Sequence, residues 1–338
     1  MKAITRREAL SRLALAGATM AAWPKSAEAS SSPPTGSRRD MRELGNALLG
    51  VHNFVITPFR ANYDLDAEGL YKNVDFHTRN PAGALPVVVG AGFGELFTLD
   101  LDEHRAMADA AVAGARRRMP VIVGVGAGYR IALRMARAAQ ESGADAILLF
   151  APPYGTESAE GAYQYFSAVA RSVDLGVILY PRGKEDFWPD VIRRLAELPN
   201  VIGFKDASGG LTVGKALGSL VKDRLLWIAE GEGHAMQAVP EGARAYTSPI
   251  SDLIPDACRE FWKRGSSGDL LGMKEIFSSK IEPALKVRDF KPGYSLSGIK
   301  VALEALGRAG GPVRPPGTQV APQDRAAIGS LARQFAET

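Results

Sequence analysis

The sequence has very little cysteine, because Cys258 is the only one among 338 residues. A single cysteine excludes an intramolecular disulfide and any metal site built from several cysteines. Histidine is also scarce, and His52, His77 and His104 are too scattered to indicate a Ser-His-Asp arrangement. The remaining composition, 46% hydrophobic and 23% charged residues, is typical of a folded globular protein rather than a disordered one.

Excess positive charge is missing from most of the chain. Residues 1–39 carry seven Lys/Arg and two Asp/Glu, a local charge of +5, so the total of +4 leaves the remainder near −1. The body of the protein therefore has no basic surface of the kind that nucleic-acid binding requires, and we expect no nucleic-acid partner. The apolar run near the N-terminus is too short to be a permanent membrane anchor.

The first 29 residues have the pattern of an export signal. Arg6 and Arg7 precede an alanine- and leucine-rich segment, and the small residues of "SAEA" offer a processing site. The segment 1–29 resembles a twin-arginine signal, although Arg12 interrupts its apolar run. We therefore expect a periplasmic protein, or a cytoplasmic one if the leader is not functional. The alternative is an amphipathic N-terminus with no targeting role, and residues 30–45 are predicted to be a linker.

Short apolar runs alternate with longer helical patterns from Gly50 onward. Strand followed by helix, eight times, is the pattern of a parallel (β/α)₈ TIM barrel, predicted here for residues 46–264. A doubly wound open sheet is the competing fold. Residues 265–338 are predicted to add two or three C-terminal helices. The predicted strands are "VHNFVIT", "ALPVVVG", "PVIVGV", "DAILLF", "GVILY", "NVIGF", "LLWIAE" and "RAYTS".

Polar residues and glycines collect where these predicted strands end, which is where such barrels carry their reactive groups. Lys205 ends the apolar run "NVIGF", and Tyr180 ends "GVILY". A lysine at a strand end either extends to water along its methylenes or lies in a dry pocket that favours the neutral, nucleophilic amine. Because an unperturbed lysine has a pKa of about 10.4, the second interpretation needs a largely apolar cavity around Lys205.

Several motifs, in order, resemble the dihydrodipicolinate synthase and N-acetylneuraminate lyase family of class I aldolases. They are "PVIVGVGAG", "ESGADAILLFAPPY", "GVILYPRG" and "VIGFKDASG", and the resemblance covers roughly residues 51–255. The resemblance implies a barrel enzyme that acts on a 2-oxo acid without a cofactor, as a dimer or tetramer. It also implies that Lys205 forms a Schiff base with the substrate and that Tyr180 moves protons.

The loop "GAGFGE" departs from the family, since Gly92 and Phe93 stand where the family has two threonines. Together with the single tyrosine of "PPY" and the close Tyr-x-Arg, this loop is more similar to the 5-dehydro-4-deoxyglucarate dehydratase branch, which removes water and carbon dioxide from a sugar diacid. We therefore expect a Schiff-base lyase or dehydratase. The alternatives are a pyruvate-dependent aldolase or dihydrodipicolinate synthase-like condensation, an exported 2-oxo acid binding protein without turnover, and a nucleotide-dependent enzyme using "GVGAG".

The remaining predicted substrate contacts lie on the same rim. Backbone N–H groups of Gly92, Phe93 and Gly94 are expected to bind a carboxylate, with the Phe93 side chain as a pocket wall. Arg182 is expected to bind a second carboxylate in bidentate fashion, unless it only pairs with a neighbouring surface carboxylate. The other three contacts are Thr57, Thr247 and Ser248.

The segment "EGEGH" supplies Glu230, Glu232 and His234, which are conceivable ligands for a divalent metal. No second histidine follows at a ligand spacing, so a polar rim loop is the preferred interpretation. We predict no metal site.

Overall fold

The computed structural model describes residues 40–79, 84–153, 158–181, 186–208 and 211–336. Eight parallel strands close into a barrel in the order of the sequence, and the predicted (β/α)₈ fold is confirmed. The strands are β1 (Gly50–Phe54), β2 (Val87–Val89), β3 (Val121–Val125), β4 (Ala146–Phe150), β5 (Gly176–Tyr180), β6 (Val201–Asp206), β7 (Leu226–Glu230) and β8 (Ala245–Ser248).

Most of the strands are rich in apolar residues because both of their faces are covered. Helices pack on the outer face and side chains fill the interior, so a parallel strand here has no solvent side. Seven of the strands are buried along their whole length, and β7 is buried except at Glu230. The barrel closes where β1 pairs with β8, with Gly50 opposite Ala245.

A short helix, α1 (Met41–Ala47), precedes the barrel and buries Leu44. Asp40 begins it, because its carboxylate accepts a hydrogen bond of 2.8 Å from the Arg42 backbone N–H. The helix extends across the predicted boundary between linker and barrel at residues 45 and 46. The segment 1–29 and most of the predicted linker lie outside the described residues.

The helices that follow the strands supply the outer layer. They are α2 (Ala67–Arg79), α3 (Leu101–Ala115), α4 (Tyr129–Ser142), α5 (Ala159–Ala170), α6 (Trp188–Leu195), α7 (Thr212–Leu217), α8 (Leu220–Asp223), α9 (Gly231–Ala238) and α10 (Pro255–Ser266). Asp100 and Glu103 form a reciprocal capping box at the start of α3.

The C-terminal region contains four helices within the described residues, where the sequence predicted two or three. They are α11 (Leu270–Ile276), α12 (Glu282–Arg288), α13 (Ser295–Ala305) and α14 (Pro322–Ala336), and a π-helical turn at Phe277–Ile281 joins the first two. In the described part of the chain, no helix combines the length and apolar character that crossing a bilayer requires.

Candidate active site

Lys205 lies near the carboxyl end of β6 and is 4% exposed. Its Nζ atom is 3.8 Å from the centroid of the Tyr180 ring and 5.5 Å from that of the Phe54 ring. Aromatic faces at these distances attract a cation and exclude water from the amine. The structure therefore brings together the two residues predicted to be catalytic, although the roles themselves stay predictions.

Strand register explains why Lys205 and Tyr180 meet. Leu179 in β5 pairs with Phe204 in β6, so Tyr180 and Lys205 are the next residues along two neighbouring strands. On the other side, Lys205 pairs with Ile228 in β7. Strand side chains alternate between faces. Glu230 lies two residues after Ile228, so it points to the same side of the sheet as Ile228 and Lys205.

The carboxylate of Glu230 joins the two predicted catalytic groups. Its Oε1 atom accepts a hydrogen bond of 2.6 Å from the Tyr180 hydroxyl and forms an ion pair with Lys205 Nζ. Burial raises the pKa of Glu230, but the Lys205 charge and the hydrogen bonds from Lys205 and Tyr180 outweigh it, with a smaller contribution from His234. The net pKa lies below its usual value, so the group is a carboxylate at neutral pH.

This ion pair differs from the expectation of an uncharged amine in an apolar cavity. Lys205 is buried as predicted, but a nearby carboxylate favours the charged form of a lysine. The Glu230 side chain is 37% exposed, so the pair opens toward solvent on one side. Any nucleophilic role of Lys205 therefore requires removal of a proton that this pair holds in place.

The loop after β2, residues 90–95, follows the carboxyl end of its strand, which is the same end of the parallel barrel as Lys205. The Thr57 hydroxyl donates a hydrogen bond of 2.7 Å to the Gly94 carbonyl, so its proton holds the loop in place. The Gly94 N–H donates to the Ala91 carbonyl at 3.1 Å. Among the described residues, no acceptor faces the N–H groups of Gly92 and Phe93. Two of the three predicted backbone donors are thus available to a ligand.

Close backbone approach explains two glycines in this region. A Cβ atom at Gly94 would lie 2.6 Å from the Gly90 backbone nitrogen, and one at Gly124 would lie 1.8 Å from the Gly90 carbonyl oxygen. Real Cβ atoms do not approach backbone so closely, so a side chain at either position displaces the loop. Gly92 has no atom within 4 Å of its Cβ position.

A buried ion pair fixes the end of this loop to the C-terminal helices. Glu95 Oε1 is 2.5 Å from Lys300 Nζ in α13, and the two side chains are 5% and 0% exposed. Glu95 Oε2 accepts a 2.8 Å hydrogen bond from the Arg314 backbone N–H. Burial lowers the pKa of Lys300 to about 8, although the negative charge of Glu95 acts to raise it. The Lys300 amine also donates to the Pro312 carbonyl at 2.8 Å.

The two predicted contacts in β8 point in different directions. Thr247 Oγ1 accepts a 3.2 Å hydrogen bond from the Gly231 N–H, next to Glu230. Ser248 Oγ accepts a 2.9 Å bond from the Ser251 N–H and lies 3.6 Å from Cys258 Sγ in α10. Ser248 therefore packs against the outer helix layer, and the structure does not bring it to Lys205. Arg182 lies outside the described residues.

Sequence reasoning missed Glu230 and Phe54 as neighbours of Lys205. Glu230 had a usable signal, because it is the last residue of an apolar strand and thus belongs to the same rim. The sequence pattern grouped Glu230 instead with Glu232, as a conceivable metal ligand, and Glu232 is only 2% exposed. Burial raises the pKa of Glu232, so the two carboxyl groups of "EGEGH" have different environments.

The chain also matches known proteins. The model of the "Dihydrodipicolinate synthetase family" matches residues 47–335, which is most of the chain. The chain belongs to this family. The family resemblance inferred from the sequence motifs is thereby confirmed. The chain is an enzyme of the lyase class, as are the dehydratases named among its curated relatives.

Curated relatives in the dihydrodipicolinate synthetase family carry one recurrent name, "Probable 5-dehydro-4-deoxyglucarate dehydratase". The protein of Paracidovorax citrulli is 32% identical over 297 residues, covering 86% of this chain and 96% of its own length. The protein of Acinetobacter baumannii is 34% identical over 283 residues, covering 82% and 92%.

Solved structures in the same family are also similar. Dihydrodipicolinate synthase from Acinetobacter baumannii, crystallised with pyruvate, has a TM-score of 0.74 and 30% identity, and covers 86% of this chain and 99% of its own. The enzyme from Bacillus anthracis has a TM-score of 0.75 and 27% identity, with coverage of 85% and 98%.

Proposed function

We propose that this family member is a lysine-imine dehydratase that acts on a 2-oxo sugar diacid, as the names of its curated relatives state for those proteins. The observation that carries the proposal is the position of Lys205. Its amine is buried at the carboxyl end of β6 and lies within 3.8 Å of the Tyr180 ring centroid. A lysine amine in such a place forms imines with carbonyl substrates.

The reaction uses the imine as an electron sink. The Lys205 nitrogen adds to the ketone carbon, and the ketone oxygen leaves as water. The protonated imine then accepts the electron pair left when a proton leaves the adjacent carbon, which gives an enamine. The enamine expels the hydroxyl group of the next carbon, which departs as water once protonated. Tyr180 is the proposed carrier of these protons, a role worth about 10²–10⁴ in rate.

Substrate carboxylates need donors on the same rim. We propose the N–H groups of Gly92 and Phe93 for the carboxylate next to the ketone, since Gly94 uses its own N–H within the loop. Arg182 remains the proposed partner of the second carboxylate because its guanidinium suits bidentate binding. Thr57 supports the loop through the Gly94 carbonyl.

Borohydride reduction in the presence of pyruvate or a 2-oxo sugar diacid tests this function. We expect the reduced substrate to be attached to the Lys205 peptide, because reduction converts the imine into a stable secondary amine. Lys300 is an internal control, since it is a second buried lysine with a pKa lowered to about 8 but lies in the Glu95 ion pair. An unmodified Lys205 with every 2-oxo acid tried contradicts the proposal.

The Lys205–Glu230 ion pair stabilises the unreactive ammonium, as a binding protein without turnover would require, but that alternative conflicts with the dehydratase names of the curated relatives. The two candidates differ in one measurement. A binding protein retains its affinity for 2-oxo acids after Lys205→Ala and shows no turnover in the wild type, whereas a dehydratase loses its covalent intermediate.

We also propose that residues 1–29 direct export and that the protein assembles as a dimer or tetramer. The arginine pair in the leader supports the first part, and the family resemblance supports the second. Replacement of Arg6 and Arg7 by lysine in the full chain is expected to leave the protein in the cytoplasm, as measured by cell fractionation. Unchanged periplasmic accumulation of the variant rules out the twin-arginine route.

A further inference from the structure

One carboxylate oxygen serves both groups of the proposed reaction. Glu230 Oε1 accepts the Tyr180 hydroxyl at 2.6 Å and pairs with Lys205 Nζ. Glu230 is the N-cap residue of α9, but its side chain makes no capping hydrogen bond. It is the only residue of β7 that is not fully buried, and its side chain reaches solvent at the carboxyl end of the strand.

Imine formation requires proton movement at the atoms that Glu230 contacts. An ammonium group is not a nucleophile, and converting it into a protonated imine moves two protons from nitrogen to the departing oxygen. The group nearest the first proton is Glu230 Oε1, which already accepts it. The Thr57 hydroxyl is not free for this role, because it donates to the Gly94 carbonyl at 2.7 Å.

We propose that Glu230 is a catalytic residue that takes a proton from the Lys205 ammonium and returns it, through the Tyr180 hydroxyl, to the oxygen that leaves the substrate. The proposal rests on the proposed function, because it assumes that Lys205 forms an imine. It assigns to a carboxylate of β7 a step that the sequence analysis gave to Tyr180 alone.

The step balances in protons and charge. Lys205 ammonium and Glu230 carboxylate become a neutral amine and a carboxylic acid. The amine adds to the ketone carbon, and one nitrogen proton moves to the former ketone oxygen through Tyr180. The Glu230 acid then protonates that hydroxyl through Tyr180, water departs, and the products are a protonated imine and the original carboxylate.

A bound substrate favours this proton transfer. The Glu230 side chain is 37% exposed in the open site, so water stabilises its charge. A substrate that fills the opening replaces this water, and the low dielectric then disfavours the charged pair relative to a neutral amine and a carboxylic acid.

The groups that face Glu230 are Lys205 from β6, Tyr180 from β5 and His234 from α9. The Thr247 hydroxyl of β8 accepts a hydrogen bond from the backbone N–H of Gly231, the residue after Glu230.

The decisive variant is Glu230→Gln, because the amide retains an acceptor for Tyr180 but does not take a proton from an ammonium. The measurement is the rate of imine formation with pyruvate, trapped by cyanoborohydride across a pH series. We expect a rate lower by about 10²–10⁴ at neutral pH. We also expect it to rise about tenfold per pH unit, since only the neutral amine then reacts.

The wild-type profile should have a different shape. Its rate should be flat through neutral pH and fall only as the pH drops through the lowered pKa of Glu230. Glu230→Ala should be partly restored by added formate, which supplies the missing carboxylate. Glu241→Gln is a matched control, because Glu241 pairs with Lys215 at 2.9 Å on the surface, and its rate should equal that of the wild type.

The outcomes separate the two proposals. A wild type whose Lys205 is never labelled overturns both the proposed function and the role of Glu230. A labelled wild type with an equally fast Glu230→Gln variant overturns the role of Glu230 alone. A slow Glu230→Gln variant that keeps the wild-type pH profile, together with a Glu230→Ala variant that gains nothing from formate, shows that Glu230 only positions Lys205, and this too overturns the proton-transfer role.

Discussion

Lys205→Ala is expected to lower kcat for the sugar-diacid substrate by about four orders of magnitude or more. The variant has no amine to form the imine, so the covalent route is lost together with its electron sink. Background reaction through binding and Tyr180 alone does not replace it. The measurement is steady-state turnover under saturating substrate, with product detected by mass spectrometry.

The Lys205→Arg variant tests whether activity requires a nucleophilic amine or only a positive charge at this position. Arginine retains a cation beside Glu230 but stays protonated, so this variant should be as inactive as Lys205→Ala. Lys215→Ala is the matched surface control, since Lys215 pairs with Glu241 away from the barrel opening, and it should keep full activity. Turnover in Lys205→Arg within tenfold of the wild type contradicts the imine mechanism.

Lys300→Met is expected to have the largest effect on stability. It leaves Glu95, which is 7% exposed, buried without its cation, and breaking a buried ion pair from one side costs about 3–5 kcal/mol. In a folded body of roughly 300 residues this free-energy change corresponds to a fall in Tm of about 5–8 °C. Thermal unfolding followed by circular dichroism measures the change.

A double variant tests the cause of that loss. Lys300→Met combined with Glu95→Gln removes both charges, so it should be more stable than Lys300→Met alone. Lys72→Met removes an exposed partner of Glu68 on α2, and it should leave Tm unchanged. If Lys300→Met also keeps the wild-type Tm, the pair does not hold the loop to α13.

Most of the fold was predictable because it depends on local patterns. Each strand lies between a layer of helices and the barrel interior, so burial on both faces appears in the sequence as an uninterrupted apolar run. Lys205 and Tyr180 interrupt two of these runs at their ends, which is why the sequence alone was enough to place them on one rim. The strand β5 ends at Tyr180, as predicted, and β6 ends at Asp206, one residue beyond Lys205.

The side-chain partners were not predictable in the same way. The contact of Glu230 with Lys205 depends on the register between β6 and β7, which no local pattern specifies. The Glu95–Lys300 pair joins positions 205 residues apart. Thr247 and Ser248 are neighbours in β8 and point to opposite faces of the sheet, so only one of these two predicted contacts can face the interior, and Ser248 packs toward Cys258 in α10.

The tight packing around Gly90 determines which positions of this loop can accept a side chain. Positions 94 and 124 cannot gain even a methyl group without displacing backbone, since their Cβ atoms would lie 2.6 Å and 1.8 Å from atoms of Gly90. A Cβ atom at position 92 would meet no atom within 4 Å apart from its chain neighbours, and the neighbouring Phe93 is only half-buried. Substitutions at these two adjacent positions can therefore change the surface of the loop while its main chain stays in place.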